Sequence, residues 1–156
     1  MEERMSRVVT FGEIMMRLNP DGYMELLQAP SLNISFAGGE ANAAVSIANF
    51  GMDVDFVTKL PENVLGKRAA MELRKYGVEV NKIVYGGPRL GTYFVEKGVS
   101  QRPVKVLYDR QNSSISLAKR SDFDWEKILE GASWFHFTGI TPALGGECVE
   151  ICKDAL

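Results

Sequence analysis

Short β-rich runs alternate with amphipathic helical segments, and this alternation limits the possible fold more than any other feature of the sequence. Arg7–Ile14 (RVVTFGEI) is β-branched and aromatic up to Gly12, which suits a buried strand ending where something approaches the backbone. Leu32–Phe36 (LNISF) alternates apolar Leu32, Ile34 and Phe36 with Asn33 and Ser35, which predicts a half-buried strand with one wet face. Gly38-Gly39 opens a helix over Glu40–Phe50, where Ala41, Ala44, Val45 and Ala48 fall at helical spacing and Gly51 marks the end. Val54–Leu60 (VDFVTKL) reads as a further strand. Asn63 then caps a second helix with a stripe of Leu65, Ala69, Leu73 and Tyr76 before Gly77. Strand and helix in turn, joined by connections of a few residues, predict an α/β fold with a mainly parallel sheet flanked by helices.

Gly91–Tyr108 breaks the pattern with two β-rich runs around Gly98 and Pro103, an antiparallel excursion from the core. The core resumes with a short helix over Asp124–Leu129, a strand over Trp134–Thr138 and a helix from Gly145 to Leu156. That last pattern runs to the end without a closing glycine or proline, so the chain is expected to be incomplete at its C-terminus.

Charge and composition narrow the function classes. The 18 basic and 20 acidic side chains give a formal charge of −2 and are scattered, so no electrostatic grip on nucleic acid is expected. No apolar run approaches the ~20 residues of a spanning helix, and MEERMSRVV lacks the apolar core of an export signal, so a cytoplasmic protein without a membrane partner is expected. Cys148, Cys152 and the single histidine, His136, are too few for a zinc site, and two reduced thiols packed on a helix are expected instead.

Three groups of residues could carry chemistry. A glycine pair before a helix lets backbone approach a ligand, and first-turn amides donate to oxygen, which singles out Gly38, Gly39 and Asn42. An isolated pair more often only turns the chain into its helix, and neither GxGxxG nor GxxxxGK[ST] occurs. Tyr93, Tyr108 and Arg110 form the second group. Period-two spacing puts Tyr108 and Arg110 on one face if their strand extends that far, and a guanidinium with two phenols would suit an acidic sugar. Strand tyrosines more often pack at edges, and an arginine is usually solvated. The third group is Gly139-Ile140-Thr141-Pro142, at the carboxyl end of a strand, where ligands sit in open α/β sheets. His136 faces away from Phe135 and Phe137 and is read as structural.

The run AGGEANAAVSIANFGMDVDFVTKLPENVLG (Ala37–Gly66) resembles the N-terminal signature of the PfkB (ribokinase-like) carbohydrate kinases, with Gly38, Gly39, Asn42, Gly51 and Gly66 in the places the pattern requires. VVTFGEIMMRL, GTYFVEKGVSQRPVKVLYDR and WFHFTGITPAL are similar to 2-keto-3-deoxygluconate kinases in particular. The resemblance implies a ribokinase-like α/β domain over residues 1–156 with a small β-sheet lid from segments near 14–36 and 91–110. It implies that Gly39, Asn42, Tyr93, Tyr108, Arg110 and Ile140 bind the substrate and that the lid gives a homo-oligomer contact. Gly38 from the glycine pair, Thr141 from its place at the strand end, and Arg17, as an aid to an acidic substrate or a solvated residue, are further candidates.

The implied reaction is phosphoryl transfer from ATP, with Mg2+, to a hydroxyl of the sugar acid. The family's catalytic Asp lies in a Gly-Ala-Gly-Asp type motif of its C-terminal half; that motif is missing from this sequence, so no catalytic residue or metal ligand is assigned in it. Arg17 departs from the Asp that many sugar kinases place there. A kinase for fructose or ribose, and a non-catalytic sugar-binding or dimerisation module, are the alternatives.

Overall fold

The computed structural model describes residues 6–156. In chain order its elements begin with β1 (Val8–Phe11), β2 (Met15–Asn19), β3 (Asn33–Ala37), α1 (Gly39–Asn49), β4 (Val54–Val57), β5 (Lys59–Leu60) and α2 (Val64–Lys75). They continue with β6 (Val84–Tyr85), β7 (Thr92–Glu96), β8 (Lys105–Asp109), α3 (Trp125–Leu129), β9 (Trp134–His136) and α4 (Cys148–Asp154).

The central sheet has the order β4-β1-β9, and β1 pairs in parallel with both neighbours. Apart from Asp55, strands β1 and β4 read as apolar or small runs because both faces are covered. On one face Val8, Val54 and Phe56 pack against Ala41 and Ala44 of α1 and Ala69 and Leu73 of α2. On the other, Val9, Phe11 and Val57 meet Ile115, Trp125, Ile128 and Ile151. The Phe11 ring stands edge-on to Phe123 and Trp125, with centroids 5.3 and 5.1 Å away. The one carboxylate inside these strands, Asp55, is matched by Arg7 and, at 3.0 Å, by Lys82. An unpaired charge there would cost several kcal/mol.

A second sheet has the order β3-β2-β7-β8. Here β2–β3 and β7–β8 are antiparallel, but β2 and β7 run parallel, so the excursion after Gly91 joins the strands that follow β1. The helix caps follow the chemistry of the sequence. Asn63 accepts from the amides of Leu65 and Gly66 at 3.0 and 3.1 Å, and Asp124 from that of Lys127 at 3.4 Å.

Three expectations need correction. The run Val54–Leu60 is two strands, broken at Thr58, because β5 leaves the central sheet to pair with β6. The LNISF strand is shifted to Asn33–Ala37, and its apolar face is covered only at Phe36, which packs against the core, while Ile34 is 55% exposed. In α2 the buried stripe is Gly66, Ala69, Ala70 and Leu73, while Tyr76 is the cap residue and exposed. Among the described residues no helix is long and apolar enough to cross a membrane.

Candidate substrate site

The carboxyl ends of β1 and β9 meet the N-terminus of α1, and the second sheet leans over this junction. Gly38 is required by close approach: a Cβ there would lie 1.9 Å from the carbonyl oxygen of Glu13. Only glycine lets α1 start against the turn between β1 and β2. Beside it, an added Cβ on Gly39 would meet nothing within 4 Å, which leaves that backbone open to a ligand.

A cavity of about 180 Å³ occupies the junction, lined among others by Glu13, Gly39, Asn42, Tyr93, Tyr108 and Arg110, with Ile140 at its rim. Gly38 lines it as well. All six residues that the resemblance designates for substrate therefore come together, although they are drawn from α1, β7, β8 and the segments following β8 and β9. An adjoining cleft of about 610 Å³ shares Tyr108, Arg110 and Ile140.

Register explains the aromatic side of the cavity. Arg17, Tyr93 and Tyr108 are successive partners across β2, β7 and β8 and so share one face of the second sheet. The two phenol rings stack with centroids 5.8 Å apart and an interplanar angle of 26°. Burial holds the Tyr93 phenol above its ordinary pKa, against the opposing field of Arg17, so it is a neutral hydroxyl able to donate or accept.

Strand β8 stops at Asp109, one residue short of Arg110, so strand periodicity does not place the guanidinium. Neighbours do. Arg89 grips Asp109 with two hydrogen bonds of 2.7 and 2.9 Å and donates to its carbonyl at 2.9 Å, fixing the strand end. That hydrogen bonding holds the Asp109 carboxyl below its ordinary range. Arg110 then lies over the Tyr108 ring, 5.6 Å from its centroid, and forms an ion pair with Glu13.

Two candidates are placed differently. Arg17 lines a separate cavity of about 430 Å³ with Ser35, Asn42, Glu72 and Tyr76. Thr141 is fully buried, and its hydroxyl donates to Glu40 Oε1 at 2.9 Å, so it supports the site from behind. Glu40 Oε1 also accepts from the Thr138 amide at 3.0 Å and the Thr138 hydroxyl at 2.6 Å, tying the start of α1 to the loop that carries Ile140. Glu13 and Glu40 escape sequence reasoning. A glutamate after a strand, or in a helix's first turn, reads as a solvated or dipole-matching residue. The signal for Glu40 is Gly12, where a Cβ would stand 2.3 Å from Glu40 Oε2.

His136 shares a shallow apolar groove with Val8, Ile47, Met52 and Trp134, away from this cavity. Cys148 and Cys152 are buried, free thiols on α4, and burial raises both to about 11. Among the described residues no three His, Cys, Asp or Glu side chains gather as metal ligands.

Comparison with known proteins agrees with this architecture. The family model described as pfkB family carbohydrate kinase matches residues 5–155. The crystal structure of a 2-dehydro-3-deoxygluconokinase from Thermotoga maritima is similar, with a TM-score of 0.95 and 57% identity over 96% of this chain and 46% of that one. A 2-dehydro-3-deoxygalactonokinase of Haloferax volcanii is 38% identical over 97% of this chain and 47% of its own length. At 20% identity, a putative Ribokinase II from E. coli shares the fold, with a TM-score of 0.84 over 96% of this chain and 48% of that one. The chain thus spans about half the length of the proteins it matches. The fold is ribokinase-like, and the chain belongs to the pfkB family of carbohydrate kinases.

Proposed function

We propose that this chain is the substrate-binding part of a sugar-acid kinase, in which 2-keto-3-deoxygluconate receives the γ-phosphoryl group of ATP. The observation that carries the reading is the single cavity lined by Gly39, Asn42, Tyr93, Tyr108, Arg110 and Ile140. Two phenol hydroxyls and an amide side chain match hydroxyl and keto oxygens, and a guanidinium matches a carboxylate. The names of the Thermotoga and Haloferax relatives support an acidic 2-keto-3-deoxy sugar as the substrate class.

The residues present do not fit ATP and Mg2+. The sequence has no Gly-Ala-Gly-Asp run, and the described residues offer no carboxylate cluster for a metal. Phosphoryl transfer is therefore assigned to a longer polypeptide, and the chain's own part is to bind, orient and enclose the sugar acid. The β-sheet lid reading rests on the second sheet, which supplies Tyr93 and Tyr108 from above the junction. Its opposite face carries an apolar row of Ile34, Leu18, Phe94 and Leu107 in register, which supports self-association through this sheet.

The deciding experiment compares phosphoryl transfer to 2-keto-3-deoxygluconate and to fructose. A version extended through the Gly-Ala-Gly-Asp region is expected to phosphorylate the acid in preference to fructose, and the 156-residue chain to bind the acid without turning it over. Equal rates on both sugars would defeat the acidic-substrate reading. Turnover by the short chain would defeat the division of labour.

A further inference from the structure

The pairing of Glu13 with Arg110 is unexplained by a site that simply grips a carboxylate. The Glu13 side chain is 3% exposed, lines the cavity and touches Arg110, yet neither of its oxygens receives an aligned hydrogen bond. Arg110 Nε and the hydroxyl of Ser113, which lies close by, likewise make no aligned hydrogen bond. So the guanidinium that would recognise a ligand carboxylate is already matched by an internal one. A second buried carboxyl, Glu40, adds repulsion from α1.

The other charged or titratable groups near Glu13 do not relieve this. Arg89 is committed to Asp109, and the Cys148 thiol of α4, held up at about 11, is neutral. A ligand carboxylate arriving at Arg110 would therefore leave Glu13 as an unmatched buried charge, the costliest arrangement of a broken buried pair. A proton on Glu13 removes that charge and supplies a donor that can reach Ser113. Burial already favours the protonated form, raising Glu13 above the usual carboxylate range against the opposing pull of Ser113 and Arg110.

Resting on the reading of the cavity as a sugar-acid site, we propose that Glu13 is the counter-ion Arg110 exchanges for the ligand carboxylate, so that an acidic sugar binds together with one proton taken up by Glu13. A neutral sugar leaves the internal pair intact and binds without a proton. Glu13 is then a specificity-determining residue. It keeps Arg110 neutralised in the empty site and makes affinity for acids depend on pH.

The test is calorimetric titration of the chain with 2-keto-3-deoxygluconate in two buffers of different ionisation enthalpy between pH 6 and 8, with fructose as the neutral control. The expected result is uptake approaching one proton for the acid, and affinity falling by up to about tenfold per pH unit. Fructose should give no buffer-dependent heat. In Glu13→Gln the buffer dependence should vanish, and acid affinity should be flat with pH and exceed that of the wild type at pH 8. Acid binding without proton uptake by the wild type overturns the proposal and leaves the functional reading standing; this arm needs no variant to fold. Uptake that persists in Glu13→Gln overturns the assignment to Glu13. Failure of the chain to bind the acid at all overturns both.

Discussion

The two sheets of this molecule are built on opposite terms. In the central sheet β1 and β4 are buried along their whole length, and their side chains meet helices on both faces. In the second sheet every residue of β8 is exposed, and β3 is covered only at its end. The first arrangement gains stability from burial on two sides. The second holds Tyr93, Tyr108 and Arg17 on one face and leaves an apolar row on the other, so much of its surface is not committed to the core. The buried core and the second sheet meet at the turn holding Glu13 and the glycines before α1, and Met16 and Phe36 of the second sheet pack against the core cluster of α1 and α2.

The sharpest way to break that contrast is to remove matched apolar groups from each sheet. Phe11→Ala, which leaves Phe123 and Trp125 facing a void, is expected to cost about 3–5 kcal/mol in urea-induced unfolding. Leu107→Ala on β8, where the side chain is 62% exposed, should change stability by no more than about 0.5 kcal/mol. Comparable losses at both positions would mean that the second sheet is part of the stabilising core.

A smaller effect should separate recognition from folding. Removing the guanidinium alone strands Glu13, so the informative variant is the pair Arg110→Ala with Glu13→Gln. Affinity for 2-keto-3-deoxygluconate should fall about 10- to 100-fold, in line with a charge-assisted bond of about 1.5–3 kcal/mol, while the unfolding midpoint moves little. An equal loss for fructose would show that Arg110 shapes the cavity without reading the carboxylate.

The parts legible in the sequence are those fixed by local chemistry. Asn63 and Asp124 cap their helices because short polar side chains reach the next amides, and Gly38 is a glycine because only a missing Cβ clears the Glu13 carbonyl. What could not be read depends on contacts between distant segments. The break at Thr58 exists because β6 captures β5. Alternation in LNISF predicted a buried face, but the neighbouring β2 offers Ile34 only Leu18 in register, with no helix behind it. The identity of Arg110 could be read, whereas its partner could not. Glu13 is brought beside it by the β1–β2 turn, 97 residues earlier in the chain (110 − 13).

A third test asks whether the exposed apolar row is an interface. Leu107→Glu places a charge beside Phe94 and across the row from Ile34. Sedimentation equilibrium is expected to show self-association of the wild-type chain that this substitution weakens by about tenfold or more, with thermal stability of the monomer unchanged. A wild-type chain that stays monomeric at high concentration would remove the second sheet from consideration as a contact.

The mildest probe returns to the buried side of the contrast. Cys152 packs in the cluster beneath the central sheet, Cys148 is buried beside the Ile115 carbonyl, and desolvation by burial holds both thiols up at about 11. In the unfolded chain they lose protons near the ordinary thiol value of about 8.5. A group whose folded pKa is raised keeps its proton in the folded state while the unfolded state gives it up, so stability declines as pH rises from about 8.5 towards 11. The unfolding midpoint should therefore drift downward over that interval, and the drift should shrink in Cys148→Ala/Cys152→Ala. Iodoacetamide at pH 8 should label neither thiol in the folded chain and both in urea. Rapid labelling of the folded chain would mean that α4 opens readily, and that the central sheet is less closed on that face than its packing against Ile151 and Trp125 requires.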